Sequence, residues 1–208
     1  MAAVASRAPV DASARRAFDV AIAVLGLVVL SPLMALVALL IKLESPGPVF
    51  FVQQRVGRGG RLFPMIKFRS MRVAEVDEQT VPEVDDIESF KFRPPNLERR
   101  QTAIGKTLRA CSLDELPNLL NVVRGDLNLV GPRPDEPGLV AKYRPEYHRR
   151  HEVKPGITGL AQVNGRTDLT YAEMMAYDRD YVDRRSFGRD LQIIGKTLGV
   201  VLRREGAR

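Results

Sequence analysis

The polarity of the chain is unevenly distributed, and its most apolar stretch comes early. From Val20 to Ile41 run 22 residues without one charge, so this segment meets either lipid or a deep core. As a helix it measures about 33 Å, against a hydrocarbon thickness of about 30 Å, and a single crossing is allowed by length. Ser31-Pro32 sits at its midpoint. A proline there removes the hydrogen bond to the Val28 carbonyl and opposes a straight helix, and Ser31 can compensate in part by bonding the carbonyl of Leu27. A break at this point leaves halves of about 16 Å, neither long enough to cross. Two readings follow: a helical hairpin that enters and leaves on one face, and a proline-kinked spanning helix. A buried helix of a soluble protein is the third and weakest. A cleaved secretory signal would be shorter, roughly 7–15 apolar residues, and would end at a small-residue site.

The remaining pattern predicts smaller elements. Residues 1–14 read as a loose tail, 15–43 as the membrane segment and 44–208 as the globular part. Ser45-Pro46-Gly47-Pro48 stops the first helix. An extended segment from Val49 to Val56, a turn at Gly57-Arg58-Gly59-Gly60 and a second extended segment from Leu62 to Met71 read as a β-hairpin. Residues 75–98 are rich in acids and interrupted by Pro82, Pro94 and Pro95, the pattern of a solvated, mobile loop. Helices are predicted around Leu113–Val123, Asp135–His151, Tyr171–Arg184 and Arg189–Arg204. The last places Leu191, Ile194, Leu198, Val201 and Leu202 on one face, as core packing or as a helix lying in a membrane interface. The fold class expected is α+β.

Composition narrows the classes. At 208 residues with 45% hydrophobic and 27% charged residues, the chain is of ordinary globular make-up and supports one domain with an appendage. The net charge of +7 beside an apolar run points to anionic lipid or phosphorylated substrates, and nucleic acid is not expected as a partner. Arg15 and Arg16 precede the run, and Lys42, Arg55, Arg58, Arg61, Lys67 and Arg69 follow it, so both flanks read as cytoplasmic. Cys111 is the only cysteine, which excludes an intrachain disulfide and a cysteine-built zinc site.

Three segments carry candidate chemistry. In Ser112-Leu113-Asp114-Glu115-Leu116-Pro117, Ser with Glu three residues on has the form of a capping box. Pro117 then falls five positions into the helix, where it costs a hydrogen bond. The alternative starts the helix near Pro117 and leaves Asp114 and Glu115 on the preceding turn, facing basic groups such as Arg109. Two adjacent carboxylates there can divide labour as nucleophile or base and as ligand to a hard cation. Gly131-Pro132-Arg133-Pro134 holds an arginine between prolines, suited to a phosphate or simply a loop turn with a solvated side chain. Gln162-Val163-Asn164-Gly165-Arg166 ends a Gly-rich stretch on another arginine. His148 and His151 lack a third ligand and read as surface residues. No Walker loop, dinucleotide fingerprint or serine elbow occurs.

Taken in order, these stretches resemble the bacterial monotopic phosphoglycosyl transferases. The matching segments are Arg16-Ala-Phe-Asp19, Leu30-Ser-Pro32, Ser45-Pro-Gly-Pro48, Lys67-Phe-Arg-Ser-Met71, Ser112-Leu-Asp-Glu-Leu-Pro117, Gly125-Asp126, Leu129-Val-Gly-Pro-Arg-Pro134, Lys154-Pro-Gly-Ile-Thr-Gly159 and Val163-Asn-Gly-Arg166. The resemblance implies transfer of a sugar phosphate from a UDP-sugar to a polyprenyl phosphate, undecaprenyl phosphate, with release of UMP. It implies Asp114 as the nucleophile and Glu115 as the Mg²⁺ ligand. Lys67, Arg69, Arg109, Arg133 and Arg166 are then phosphate contacts, and Ser31-Pro32 the break of a re-entrant membrane helix. The globular part becomes a small, mostly helical catalytic domain with interfacial helices on the cytoplasmic face of the bacterial inner membrane. The family's basic Asp-Pro-Arg stretch before the catalytic segment is replaced by Phe92-Arg-Pro-Pro-Asn-Leu-Glu-Arg-Arg-Gln-Thr102, which bears on loop geometry and donor choice. With about 15 residues ahead of the apolar run, the expectation is the minimal form of the family. The sugar and the oligomeric state, a homodimer included, are left open. The competing class is a non-enzymatic membrane adaptor that binds anionic lipid and a protein partner.

Overall fold

The computed structural model describes residues 9–72, 86–91, 100–165 and 168–203. Its architecture is α+β, with a long apolar N-terminal helix against a mainly helical domain that carries two small two-stranded sheets.

Helix α1, Pro9–Glu44, has 36 residues and contains the whole uncharged run. Residues 1–8 of the expected tail lie outside the described residues, and from Pro9 onward the chain is already helical. The helix continues through Ser31-Pro32, so the expected division into two halves is not made by loss of helix. The local chemistry gives the reason. Pro32 has no N–H for the Val28 carbonyl, and Ser31 Oγ donates to that same carbonyl at 2.8 Å. The orphaned acceptor therefore takes the bond that the sequence assigned to Leu27. Along α1 one stripe, including Asp19, Ala23, Val37 and Ile41, is buried, while Val28, Val29 and Leu43 are 64% to 74% exposed. The helix is long and apolar enough to cross a membrane, and only 11% of its most apolar window is buried. That exposure separates it from the core helix of a soluble protein.

Strands β1, Phe50–Val56, and β2, Leu62–Phe68, form the expected antiparallel hairpin, in register from Phe50↔Phe68 to Val56↔Leu62. Helix α2, Ala103–Ala110, follows, capped by Thr102, whose Oγ1 accepts from the Gly105 N–H at 2.9 Å. A 3₁₀ turn at Leu113–Glu115 precedes helix α3, Asn118–Arg124. Strands β3, Asn128–Val130, and β4, Gly156–Thr158, pair in parallel. Their approach requires glycine: a Cβ on Gly156 would lie 2.1 Å from the Gly131 nitrogen, and one on Gly131 would lie 2.5 Å from the Lys154 carbonyl.

Between these strands the single helix expected over 135–151 is replaced by a short helix α4, Pro137–Val140, and a 3₁₀ segment, Pro145–Glu152. Pro145 is the cause, since it drives the preceding Arg144 into extended backbone (ψ 152°). Helix α5, Leu160–Val163, is short. Helix α6, Tyr171–Asp183, opens on a full capping box between Thr170 and Glu173. Helix α7, Phe187–Arg203, ends the described chain. Its buried face carries Asp190 and Ile193, and of the expected apolar stripe Leu191 and Leu198 are exposed while Ile194 packs against the core; the side chains of Val201 and Leu202 lie outside the described residues.

Ala23 of α1 joins a core cluster with Phe63, Met65, Val122, Leu127, Leu129, Tyr181 and Ile193. On the far side of Pro32, Val37 and Ile41 join another with Phe68 and Leu108. Both halves of α1 thus pack on one domain. Of the expected acidic loop, 73–85 and 92–99 lie outside the described residues. The piece between them is not a free loop: Ile87 is buried with Leu139, Tyr171 and Met175, and Phe90 and Glu88 carbonyls accept from the Tyr171 and Ala172 N–H groups.

Candidate active site

The 3₁₀ turn that carries Asp114 and Glu115 is set by the backbone on either side. Ser112 takes the left-handed conformation (φ 55°), the sole non-glycine to do so among the described residues, and its side chain does not cap the turn. The capping box is therefore not formed. Pro117 stands at the start of α3 (φ −61°), where its missing N–H costs nothing. Both carboxylates thus lie on the turn before the helix.

Glu115 is held from two sides. Arg133 Nη2 donates to its Oε1 at 2.6 Å and Nη1 to Oε2 at 3.3 Å, and Lys67 Nζ donates to Oε1 at 2.9 Å. Lys67 is brought by β2 and Arg133 by the loop after β3. Burial alone would raise the Glu115 carboxyl, but the two cations hold it well below the usual carboxylate range. Asp114 is different. It is buried, its oxygens accept no hydrogen bond among the described residues, and burial together with the neighbouring Glu115 charge pushes its carboxyl up, against Lys67, Arg109 and Arg133. Arg109, in the last turn of α2, acts on Asp114 through its charge. Burial and the nearby Arg133 lower the Lys67 ammonium.

One expected phosphate contact stands elsewhere, and another is outside the described residues. Arg69 is turned away from the carboxylates: its guanidinium donates to the carbonyls of Ser45 at 2.8 Å, Ile41 at 3.4 Å and Pro46. It caps the C-terminal end of α1, whose last carbonyls have no partners within the helix. Arg166 lies outside the described residues.

The sequence reading missed what supports Arg133. Arg150, 4% exposed, donates to the Arg133 carbonyl at 2.5 Å and to Tyr143 Oη at 2.6 Å. It also pairs with Asp178 at 2.8 Å and with Asp135. Tyr143 and Tyr171 hydrogen-bond each other at 2.9 Å, and Tyr171 also donates to Asp135. Burial pushes the Asp178 carboxyl up to about 6, with Arg150 opposing. One signal was present. Tyr171, Met175 and Asp178 share the buried stripe of α6, and an acid on an apolar stripe calls for a buried partner. His148 and His151 pack on Tyr143.

No group of three or more His, Cys, Asp or Glu that could hold a metal occurs among the described residues. A dedicated protein cage is therefore not what this site offers. Mg²⁺ is commonly held by one or two carboxylates together with substrate phosphates and waters. The Asp114-Glu115 pair fits that sparse donor set: Glu115 Oε2 has a single donor, at 3.3 Å, and a carboxylate oxygen accepts more than one.

The family model for bacterial sugar transferases matches residues 10–204. An exopolysaccharide production protein, ExoY, of Sinorhizobium fredii is 38% identical over 213 residues, covering 96% of this chain and 90% of that protein. A UDP-glucose:undecaprenyl-phosphate glucose-1-phosphate transferase of Caulobacter vibrioides is 42% identical over 203 residues, 93% of this chain and 71% of that protein. An undecaprenyl-phosphate galactose phosphotransferase of Salmonella typhimurium is 38% identical, and the match covers 93% of this chain but 41% of that longer protein. With the match running from the first turn of α1 to the end of α7 and taking in the carboxylate pair and its cations, the chain belongs to the bacterial sugar transferases and is an enzyme of the phosphoglycosyl transferase kind.

Proposed function

We propose that the enzyme moves a sugar-1-phosphate from a UDP-sugar to undecaprenyl phosphate through a covalent intermediate on Asp114. The observation that carries this reading is the contrast between the two acids: Glu115 is clamped by Lys67 and Arg133, while Asp114 is buried beside it with no hydrogen-bond donor of its own. A carboxylate without donors keeps its lone pairs for attack. Its oxygen attacks the sugar-bearing phosphorus, the bond to the bridging oxygen breaks, and UMP leaves with that oxygen and the electron pair. An oxygen of the polyprenyl phosphate then attacks the same phosphorus and frees the Asp114 carboxylate. The guanidinium of Arg133, 36% exposed, can hold Glu115 and still present N–H groups to the diphosphate, and Arg109 adds charge beside the nucleophile. Glu115 would hold Mg²⁺, which when bound neutralises charge on the phosphates.

The same reading sets the location. Ala23 and Val37 bury against one domain from opposite sides of Pro32, and basic residues flank both ends of the run. A helix so gripped along its length enters and leaves the inner membrane on one face, with the catalytic domain on the cytoplasmic side. Interfacial seating also suits the exposed Leu191 and Leu198 of α7. The test is to incubate purified enzyme with Mg²⁺ and single UDP-sugars in the absence of acceptor. A burst of UMP of about one per enzyme, with a phosphosugar adduct on the peptide containing Asp114, is the expected result. UMP appearing only after acceptor is added would reduce the carboxylate pair to a base and ligand for direct transfer.

A further inference from the structure

Three of the matching stretches have no part in the catalytic centre, yet the fold brings them to one place. Arg16 of α1, Gly125 at the end of α3 and Lys154 before β4 meet at the far end of α3 from Asp114. A Cβ on Gly125 would lie 3.4 Å from Arg16 Nη2 and 3.6 Å from Lys154 Nζ, so these two cationic atoms flank Gly125 within about 7 Å of each other. The φ of Gly125, +97°, favours glycine. Arg16 is fixed by donating to the carbonyls of Val122 at 2.6 Å and Val123 at 3.0 Å. The Lys154 side chain makes no hydrogen bond or ion pair among the described residues, and neither does the side chain of Arg58 in the hairpin turn nearby. The closest acids do not neutralise them: Asp126 is engaged by Asn121 at 3.1 Å and Asp19 is buried. Burial, Arg16 and Arg58 lower the Lys154 ammonium, and the opposing charges of Asp126 and Asp19 only partly offset them.

We propose that Arg16, Lys154 and Arg58 form a binding site for the phosphate of an anionic membrane phospholipid, separate from the catalytic carboxylates. Two cationic nitrogens at this spacing can share one phosphate, each through its own oxygen. The occupant is a lipid because the cluster adjoins the exposed apolar surface of α1. An open, mainly apolar face of α1 formed, among the described residues, by Ser13, Arg16, Ala17, Val20 and Ala21 extends from the same arginine and offers an acyl chain a surface to lie against. The site needs the membrane association of α1 and is independent of the transfer chemistry.

The experiment floats the full chain with vesicles of phosphatidylcholine alone and with about 30% phosphatidylglycerol at fixed ionic strength, where each basic residue near an anionic surface contributes about fivefold in partition. Lys154→Gln and Arg58→Gln should each remove about fivefold of the gain given by phosphatidylglycerol, with unchanged melting temperature in detergent. Arg58 is exposed at a turn, so its variant tests the site even where Lys154→Gln fails to fold. Arg179→Gln, on the exposed face of α6, should change the gain by less than twofold. Equal losses from Arg179→Gln and Arg58→Gln would leave only a net-charge effect and overturn the site. So would a full gain in the Lys154 and Arg58 variants. Loss of the wild-type gain on adding millimolar inorganic phosphate at matched ionic strength would assign the cluster to free phosphate instead.

Discussion

Glu115 and Arg133 each take their position from the other. Removing the arginine leaves a buried carboxylate with Lys67 alone, and removing the carboxylate leaves two cations in mutual repulsion. A double-mutant cycle on Glu115→Gln and Arg133→Ala, read by chemical denaturation, should show coupling of about 0.5–3 kcal/mol. Asp114→Asn behaves otherwise. It removes the oxygen proposed to attack and leaves the clamp in place, so UMP release should fall by at least a thousandfold with little change in melting temperature. Behind them, Asp178 offers a test by pH. Its folded pKa is raised to about 6 from an ordinary 3.8, so the native state binds that proton more tightly than the unfolded chain. Its contribution to stability is full below about pH 4 and is lost as pH rises through about 6. Measured against Asp178→Asn, the wild type should lose relative stability between pH 4 and 6, and a flat difference would contradict the assignment. The sequence left Asp114 and Glu115 open between a capping box and a turn before Pro117, and the structure takes the second because Pro117 starts the helix. Nor did the sequence show that Arg69 belongs to the end of α1, since a basic residue two positions past Lys67 carries no mark of which partner it will meet.

Elements with their own local signal were legible, and those made by distant pairing were not. The hairpin was announced by its turn glycines, and a helix was expected over nearly the span that α6 takes. The parallel pair β3 and β4 has three residues per strand, too short for an alternation, and exists because two glycines allow backbones to touch. α1 was legible as apolar but not in its course, because Ser31 mends the bond that Pro32 removes. The same-face arrangement proposed for it predicts that cysteines introduced singly at Ser13 and Glu44 both react with a reagent confined to the cytoplasmic side. Reaction of the Ser13 cysteine from the opposite side alone would establish a crossing. Arg69→Ala, which uncaps α1 and takes the guanidinium donor from the carbonyls of Ser45 and Pro46 while Ile41 keeps the Ser45 N–H, should lower the melting temperature by several degrees, about 1–3 kcal/mol. Its KM for the UDP-sugar should stay unchanged, which separates it from Lys67 and Arg133.

At the scale of the whole molecule, the proposed function brings a donor from water and an acceptor from lipid to react at one carboxylate pair. A covalent intermediate lets them do so in turn, and initial rates at varied donor and acceptor should give parallel double-reciprocal lines. Intersecting lines would require both substrates together. The grip on α1 has a further consequence. Its N-terminal end is tied by Arg16 to the end of α3, its C-terminal end by Arg69 and by Glu44, whose carboxylate accepts from the Ile104 N–H at 3.1 Å, and its middle supplies side chains to two core clusters. An anchor of this sort is not a tether from which the enzyme can be clipped. The newly made chain cannot complete its interior until this helix has docked through Ala23, Val37 and Ile41, so the segment that meets the membrane is also part of the folding core.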